Sequence, residues 1–245
     1  GKVVVTIRPS IAVRLQGSGS YVVSGGTGAL GLVVGKWLVE RDAGHVVLVS
    51  RRGAILSEEA DNLIRRADQR SSERSGRVTV RRCDVGTASA VRSLMLELNE
   101  KLALVQGVVH AAGVLRDALL VDQTEDAFDA VWQPKAAGAI HLHNTTIHDL
   151  KSELDLFVMF SSSTALLGNP GQTNYGAANA VLDALAVRRR SMGLCGTSIQ
   201  WGAWSESGMA VDSDVVGRMW SQGMRGISNA EGLDALDVCV AQGRP

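Results

Sequence analysis

The chain has 245 residues, a mass of 25.9 kDa and equal numbers of basic and acidic side chains, 25 of each. With 45% hydrophobic and 20% charged residues, it has the composition of a globular domain with a buried sheet. Its net charge of zero argues against nucleic acid or a membrane surface as a partner. No apolar run approaches the roughly 20 residues that span a bilayer, and the three cysteines lack metal-ligand spacing. We therefore expect a cytoplasmic, or otherwise intracellular, protein with reduced thiols.

Apolar runs and helical patterns alternate along the chain. The first predicted strand includes Val22 and Val23, and further strands follow at residues 45–50, 77–82, 105–110, 156–161 and 197–201. Helical patterns fill the intervals, ending near Gly44 in the first case and covering residues 57–72, 87–98, 124–146 and 174–192 later. Ser228 and Glu231 have the spacing of a capping box that opens a final helix. This alternation predicts an α/β domain with a Rossmann-like, doubly wound parallel sheet.

Two parts of the chain depart from this alternation. Residues 1–19 are an extended piece without a helix, so we interpret them as a linker or the remnant of a preceding unit. Residues 20–245 then form the predicted folded domain. Within it, residues 204–226 are irregular and contain several glycines, which predicts a mobile lid.

A glycine-rich turn directly follows the first strand. Gly26, Gly28 and Gly31 satisfy the pattern G-x-G-x-x-G between a strand and a helix. Glycines let backbone N–H groups approach a pyrophosphate, which then lies at the positive N-terminus of the helix. The pattern alone is weak, because many glycine-rich turns are only turns. Its strand–turn–helix context nevertheless predicts a dinucleotide-binding loop.

The segment after the second strand indicates which dinucleotide is bound. Ser50 and Arg51 stand where an NAD-binding protein usually has an acidic residue for the ribose hydroxyls. A cationic residue there accommodates the 2′-phosphate of NADP, so we predict NADPH and assign phosphate binding to Arg51. Arg52 is better explained as a solvated side chain. Asp84, which follows the third strand, is expected to hydrogen-bond the adenine.

A tyrosine, a serine and an asparagine are combined around the fifth strand. The chain has only two tyrosines, and Tyr175 opens a helix in the run GQTNYGAAN. Asn179 shares a helix face with it, four residues further on, and Ser162 lies thirteen residues before Tyr175, just past a strand. Open α/β sheets bind their ligands at that edge. These residues therefore predict a catalytic site.

Seven runs in this chain together resemble the catalytic half of a ketoreductase domain from a modular polyketide synthase or an animal-type fatty acid synthase. The runs are SGGTGALG, LVSRRG, CDV, HAAGVLRD, PKAAG, FSSSTALLGNPGQTNYGAANAVLDALA and QWGAW. They span residues 21–204 in the family's order, so jointly they are highly specific. The resemblance implies a short-chain-dehydrogenase/reductase fold. It also implies NADPH-dependent reduction of a 3-ketoacyl thioester carried on the phosphopantetheine arm of an acyl carrier protein.

One departure from ordinary short-chain dehydrogenases supports this resemblance. Those enzymes have Tyr-x-x-x-Lys, whereas here Tyr175 is followed by Asn179. In the ketoreductase family the lysine comes from a Pro-Lys motif in the preceding long helix, which Lys135 matches. The resemblance implies that Tyr175 protonates the substrate oxygen and Ser162 hydrogen-bonds it. Lys135 would hold the ribose hydroxyls, and Asn179 would fix the helix and a proton-relay water.

The expected site has open points. Positive charge on Lys135 and on the nicotinamide ring is expected to lower the pKa of Tyr175, and Ser161 or Ser163 remain alternatives to Ser162. Small residues after the fourth strand would form a floor for the cofactor. The expected cofactor-binding residues are Gly26, Thr27, Gly28, Ala29, Leu30, Ser50, Arg51, Asp84, Val85, Ala111, Ala112, Gly113, Lys135 and Tyr175.

Positions around the catalytic tyrosine also imply a stereochemical outcome. In the resembling family, B-type reductases, which give the D-configured alcohol, have Asp in an L-x-D motif, Pro five residues before the tyrosine and Asn directly before it. This chain has Asp117, Pro170 and Asn174 at these positions, and Leu167 where A-type enzymes have Trp. The resemblance therefore implies a D-3-hydroxyacyl product. Taken alone, Asp117 is equally explained as a loop cap, and Arg116 departs from the family's frequent L-D-D motif.

Other interpretations remain. A non-catalytic scaffold domain would have lost the glycine loop, the tyrosine or the lysine, and a stand-alone dehydrogenase acting on a free substrate would not be expected to have the Tyr–Asn pattern.

His141 and His143 are two residues apart and do not face one metal ion, so we interpret them as helix-surface residues and predict no metal site. We interpret residues 188–190, three arginines, as a solvated helix end, with carrier-protein docking as a weaker alternative. In the family a structural half precedes the catalytic half, and other megasynthase domains are partners.

Overall fold

A single parallel sheet organises the chain. The computed structural model describes residue 15 and residues 17–54, 57–70, 77–150, 153–208 and 225–242. Six strands form the sheet in the order β3-β2-β1-β4-β5-β6, and all described pairs are parallel. Their bounds are Ser20–Ser24 (β1), His45–Ser50 (β2), Arg77–Arg82 (β3), Val105–His110 (β4), Leu156–Ser162 (β5) and Thr197–Trp201 (β6). The strand order reverses between β1 and β4, which confirms the predicted doubly wound topology.

Helices cover both faces of the sheet. One hydrophobic cluster joins the sheet to α1 (Ala29–Glu40), α2 (Glu58–Arg70) and the C-terminal helix α8 (Asn229–Gln242). A second cluster joins it to α3 (Ala88–Lys101), α5 (Gly138–Asn144) and α7 (Thr173–Ser191). A short helix, α6 (Thr164–Leu167), lies between β5 and α7. Within β2, Val46 and Leu48 belong to the first cluster, whereas Val47 and Val49 belong to the second. A strand buried on both faces must be apolar at every position, which is why the apolar runs located the strands.

The long helix predicted for residues 124–146 is present but irregular. It begins with α4 (Glu125–Trp132), where the Thr124 hydroxyl accepts a hydrogen bond from the Ala127 N–H group at 3.2 Å. The helix then widens into a π turn at Gln133–Ala137, continues as α5, and ends in a second π turn at Thr145–Asp149. Lys135 lies in the first π turn. Such turns are rare and often mark functional sites.

A buried arginine overturns two predictions about surface residues. Arg189 of α7 is only 2% exposed, its Nε donates to the Cys195 carbonyl at 2.6 Å, and its guanidinium lies 3.8 Å from the ring centroid of Phe157. Its Nη1 lies 3.0 Å from Nδ1 of His143, which is also buried. Burial, together with the charge of Arg189, lowers the pKa of His143 to about 4. The prediction of solvated side chains was therefore wrong for His143 and Arg189, because they satisfy each other inside the fold.

The predicted lid and leader lie largely outside the described residues. Of the segment 204–226, residues 209–224 are outside, and of residues 1–19 only 15 and 17–19 are described. The two described ends of the lid segment meet, since Ile227 N–H donates to the Ala203 carbonyl and Ser205 N–H to the Ile227 carbonyl, both at 2.8 Å. The capping box is confirmed by reciprocal bonds between Ser228 and Glu231. None of the helices in the described ranges is long and apolar enough to cross a membrane.

Candidate active site

The glycine-rich turn connects β1 to α1 at the carboxyl edge of the sheet. Gly25 has a φ of +69°, and a Cβ atom there would lie 2.9 Å from the Ala111 carbonyl oxygen, so the turn needs glycine to pass against the end of β4. No side chain caps α1, whose first backbone bond runs from Leu32 N–H to the Gly28 carbonyl at 2.9 Å. The N–H groups of this first turn therefore have no intrahelical partner. An uncapped helix N-terminus beside a close-approach turn fits the pyrophosphate of a dinucleotide.

The ends of β2 and β3 continue the same edge. The Ser50 hydroxyl accepts a hydrogen bond from Gly53 N–H at 3.1 Å, which closes the turn that carries Arg51 and Arg52. Both arginines are exposed, and within the described part of the chain neither forms an ion pair. Asp84 is also exposed, and its Oδ1 accepts from Gly86 N–H at 3.0 Å. The predicted adenosine residues thus share one open edge with the glycine turn.

A cavity of about 750 Å³ opens beside this edge, where β4, β5 and β6 end. Of the predicted residues, it is lined by Leu30, Ala111, Asp117, Lys135, Ser162, Leu167, Pro170 and Tyr175. Asn174 and Asn179 are buried behind its wall. A second cavity, of about 680 Å³, lies between α1 and α2, and Ala29 alone of the predicted residues lines it.

Tyr175 and Asn179 lie in the first two turns of α7. Burial raises the pKa of Tyr175 above its ordinary value, while the nearby side chains of Asn179 and Ser162 act in the opposite direction. The direction differs from the lowering expected from the sequence, because removal of the phenol from water outweighs its polar neighbours. The amide nitrogen of Asn179 lies 2.8 Å from the Tyr175 carbonyl oxygen, so its direct hydrogen bond is to the helix backbone. Its Oδ1 is buried without a partner among the described residues.

Lys135 reaches this site from the π turn. Its side chain is buried, its ammonium donates to the Phe160 carbonyl at 2.9 Å, and Nζ lies 5.2 Å from the ring centroid of Tyr175. A Cβ atom on Gly113 would come within 3.0 Å of Lys135 Cε, so the glycine after β4 leaves room for the lysine. Burial lowers the pKa of Lys135 to about 8, and the carboxylate of Asp183 opposes this shift. The structure thus brings the ammonium of this lysine close to the ring of the tyrosine.

The three consecutive serines have different surroundings. The Ser161 hydroxyl is buried and donates to the Asn179 carbonyl at 3.3 Å. This hydrogen bond joins β5 to α7. The Ser163 backbone N–H donates to the Trp201 carbonyl at 2.9 Å. Ser162 is the serine whose side chain acts on Tyr175, where it opposes the rise in pKa caused by burial. All three serines line the cavity, but Ser162 is the one of them that acts on the pKa of Tyr175, which favours it.

A chain of hydrogen bonds connects Ser162 to Asp117. The Ser162 hydroxyl lies 3.1 Å from Thr164 Oγ1, which lies 3.4 Å from Gln172 Oε1. The Gln172 amide nitrogen donates to the Asp117 carboxylate at 2.9 Å, and Asn169 donates to Gln172 Oε1 at 3.0 Å. Sequence reasoning missed Thr164, Asn169 and Gln172, because only the fold brings the loop after β4 next to the loop after β5. Asp117 is therefore not a free loop cap.

The other predicted stereocontrol residues differ in exposure. Asn174 is buried, and its amide nitrogen donates to the Arg116 carbonyl at 2.9 Å and to the Ala127 carbonyl at 3.3 Å. It braces the loop after β4 rather than contacting the cavity. Leu167 is 74% exposed at the cavity rim, close to Pro170 in the chain.

Aromatic side chains form the far wall. Phe160 and Trp201 have ring centroids 5.5 Å apart, and Trp201 and Trp204 pack edge to face at 5.0 Å. Both indoles are buried and also line the cavity, so they belong to the core and to the cavity wall at once.

Comparison with known proteins identifies the family. The model of the KR domain matches residues 19–206. The chain is 41% identical over 225 residues to a phenolphthiocerol/phthiocerol polyketide synthase polypeptide of Mycobacterium tuberculosis (strain CDC 1551 / Oshkosh), covering 92% of this chain and 11% of that protein. A solved structure described as an A1-type ketoreductase has 38% identity and a TM-score of 0.86, and covers 98% of this chain and 49% of the other. A structure described as A-type ketoreductases from a modular polyketide synthase has 39% identity, the same TM-score and the same coverage. The chain therefore belongs to the KR-domain family, the nicotinamide-dependent oxidoreductases of short-chain-dehydrogenase/reductase fold that serve as ketoreductase domains in modular polyketide synthases.

Proposed function

We propose that the chain reduces a 3-ketoacyl thioester, presented by an acyl carrier protein, to the D-3-hydroxyacyl thioester with NADPH. The observation that carries the proposal is the convergence of Tyr175, Ser162 and Lys135 on one cavity beside the uncapped helix α1. A scaffold domain would have no need of a buried lysine beside a partly buried tyrosine. The experiment is to mix the protein with NADPH and a 3-ketoacyl pantetheine thioester and follow NADPH oxidation, and absence of oxidation would contradict the proposal.

The residues present fit the cofactor. The glycine turn and the first turn of α1 would bind the pyrophosphate, Asp84 and Val85 the adenine, Ser50 and Arg51 the 2′-phosphate, and Lys135 the ribose hydroxyls of the nicotinamide half. The site offers N–H donors and cations where the cofactor has anionic groups. When bound, NADPH supplies the hydride for the carbonyl carbon.

The chain's own residues stabilise and protonate the carbonyl oxygen of the substrate. As negative charge develops there, Tyr175 donates its phenolic proton and Ser162 donates a hydrogen bond. The raised pKa of Tyr175 keeps the phenol protonated before reaction, so the donor is in its active form at neutral pH. Oδ1 of Asn179, which has no hydrogen-bond partner among the described residues, would accept a hydrogen bond from a water that relays a proton to the site.

Arg51 provides the test of cofactor choice. Arg51→Ala should weaken NADPH binding about tenfold to a hundredfold, because a charge-assisted hydrogen bond is worth roughly 1.5–3 kcal/mol. NADH has no 2′-phosphate, so the affinity of the variant for NADH should change little. Arg52→Ala is the matched control, an adjacent exposed arginine that we interpret as solvated. Dissociation constants from cofactor fluorescence check this, and equal losses for NADPH and NADH would remove the assignment of Arg51.

The D configuration rests on the loop after β4. Two similar solved structures are described as A-type, yet overall similarity does not fix which groove admits the pantetheine arm. The Asp117 carboxylate is tied to Gln172 at 2.9 Å, and Ala118 N–H to the Gly171 carbonyl at 2.9 Å, which holds this loop against one side of the cavity. The segment after β5 carries Leu167, which lines the cavity at the position where A-type enzymes have a tryptophan. These contacts support entry by the B-type groove.

Product chirality tests this choice. We expect chiral chromatography of the alcohol formed from a 3-ketoacyl thioester to give predominantly the D enantiomer. Leu167→Trp, which adds the bulk of the A-type residue at an exposed position, should raise the L fraction without unfolding the protein. A predominantly L product from the unaltered protein would reverse the assignment of the groove.

The partners follow from the same proposal. The chain spans 11% of the length of the mycobacterial polyketide synthase polypeptide, so the activity, substrates and partners of a whole synthase extend beyond it. We propose that residues 20–245 are the catalytic half of the domain and residues 1–19 the end of a preceding structural half. Its partners would be a phosphopantetheine-bearing acyl carrier protein and the other domains of the synthase.

A further inference from the structure

His110 is a fully buried residue of this site that the proposed chemistry does not use. It ends β4, its Nδ1 lies 2.7 Å from Ser24 Oγ, and its Nε2 lies 2.8 Å from the carbonyl oxygen of Lys135. A carbonyl oxygen only accepts, so Nε2 carries the hydrogen and Nδ1 accepts from the Ser24 hydroxyl. Burial, with the nearby Lys135, lowers the pKa of His110 to about 3, which keeps this single neutral tautomer over the ordinary pH range.

The two bonds join three parts of the active site. Ser24 is the last residue of β1, directly before the glycine turn, and is the register partner of His110 in the sheet. Lys135 lies at the centre of the π turn. A Cβ atom on Gly138 would come within 3.1 Å of His110 Cε1, so the glycine of the PKAAG run makes room for the imidazole. The histidine thus spans from the start of the cofactor loop to the backbone of the lysine.

We propose that His110 is a positioning residue, which together with Ser24 fixes the backbone of Lys135 and thereby the place of its ammonium group. This inference rests on the proposed role of Lys135 in holding the cofactor. A lysine side chain has four rotatable bonds, so two anchors are needed to fix it. The Phe160 carbonyl holds Nζ at 2.9 Å, and His110 holds the other end. Without His110, the π turn has freedom to relax toward a regular helix and draw Nζ away from Tyr175.

A purely structural role for His110 would give a different result, and His143 supplies the control. His143 is also buried, lies on the same long helix as Lys135 and makes a hydrogen bond to Arg189, away from the cavity. His110→Leu and His143→Leu should therefore both lower the melting temperature. Only His110→Leu should weaken NADPH binding, by about tenfold, because the backbone of Lys135 loses an anchor and its ammonium is held less firmly where the ribose hydroxyls would bind.

Two amide variants separate the two ring nitrogens. The amide nitrogen of Gln reaches as far as Nε2, whereas that of Asn reaches only as far as Nδ1. His110→Gln should keep NADPH affinity within a few-fold of the unaltered protein, and His110→Asn should lose it as His110→Leu does. Ser24→Ala should have the smaller effect, because the bond to Lys135 remains. Equal affinities of the Gln and Asn variants at equal melting temperature would overturn the proposal.

Hydrogen exchange provides a measurement that does not need the cofactor. The amides of Gln133 and of residues 135–138 should exchange faster in His110→Leu and His110→Asn than in the unaltered protein, but not in His143→Leu. If the unaltered protein failed to bind NADPH, the proposed function would be wrong. The exchange rates would still show whether His110 holds the backbone of Lys135. Unchanged exchange in the π turn of the His110 variants would show that the histidine does not hold it.

Discussion

Tyr175→Phe should reduce turnover of a 3-ketoacyl thioester by about 10² to 10⁴-fold, the usual contribution of general acid catalysis. Phenylalanine retains the ring, so packing against Lys135, whose Nζ lies 5.2 Å from the ring centroid, is preserved. NADPH should therefore bind with nearly unchanged affinity. Steady-state rates combined with fluorescence titration of NADPH separate the two quantities.

The second tyrosine is the matched control. Tyr21 is fully buried in the sheet, its hydroxyl donates to Asp155 at 3.4 Å, and neither residue lines the cavity. Tyr21→Phe removes the same atom and should leave kcat and KM within about twofold. Substantial activity in Tyr175→Phe would mean that another group protonates the substrate.

Replacing Lys135 should separate function from stability. Lys135→Met should weaken NADPH binding and nearly abolish turnover, because the ribose contacts and the charge beside Tyr175 are both lost. The melting temperature at pH 7 should nevertheless be no lower than that of the unaltered protein. Burial lowers the pKa of Lys135 from 10.5 to about 8, a penalty on the order of 3 kcal/mol for the charged form. Loss of the bond to the Phe160 carbonyl offsets about 1–3 kcal/mol of the gain.

The pH dependence of unfolding distinguishes this penalty from packing effects. Between pH 8 and 10.5 the unfolded chain holds the lysine proton and the folded chain releases it, so the stability of the unaltered protein rises with pH in this window. Lys135→Met lacks this group and should lack that part of the slope. Lys36→Met, at an exposed position of α1, is the control and should retain the slope. Identical pH profiles for Lys135→Met and the unaltered protein would show that Lys135 is not buried in charged form.

The fold was largely predictable because its strands are buried on both sides. A run such as HVVLVS at β2 can satisfy two hydrophobic layers only as a central strand, and the strand was found at His45–Ser50 as expected. The fifth strand extends one residue beyond its predicted range, to Ser162. The glycine turn and Tyr175 were located from short-range patterns, since their geometry is set within a few residues.

Contacts between distant segments could not be predicted from those patterns. Arg189 lies in a run of three arginines that resembles a solvated helix end. Only the fold shows that its guanidinium donates to the Cys195 carbonyl and packs over the Phe157 ring. Gln172 belongs to the run around the tyrosine, yet its bond to Asp117 joins residues 55 positions apart. The π turn at Lys135 likewise could not be predicted from helical periodicity. One added residue leaves the helical pattern of the sequence intact on each side of it.

The two π turns have a consequence for descent and alignment. Each holds one residue more than a regular turn, and an added residue rotates everything after it by about 100° around the helix axis. Lys135 in the first π turn and His143 in α5 therefore lie on faces of the helix where a uniform α-helix of the same sequence would not place them. A relative lacking the first bulge should be one residue shorter between the strands β4 and β5, and a deletion within residues 133–137 should misplace either the lysine or the whole of α5.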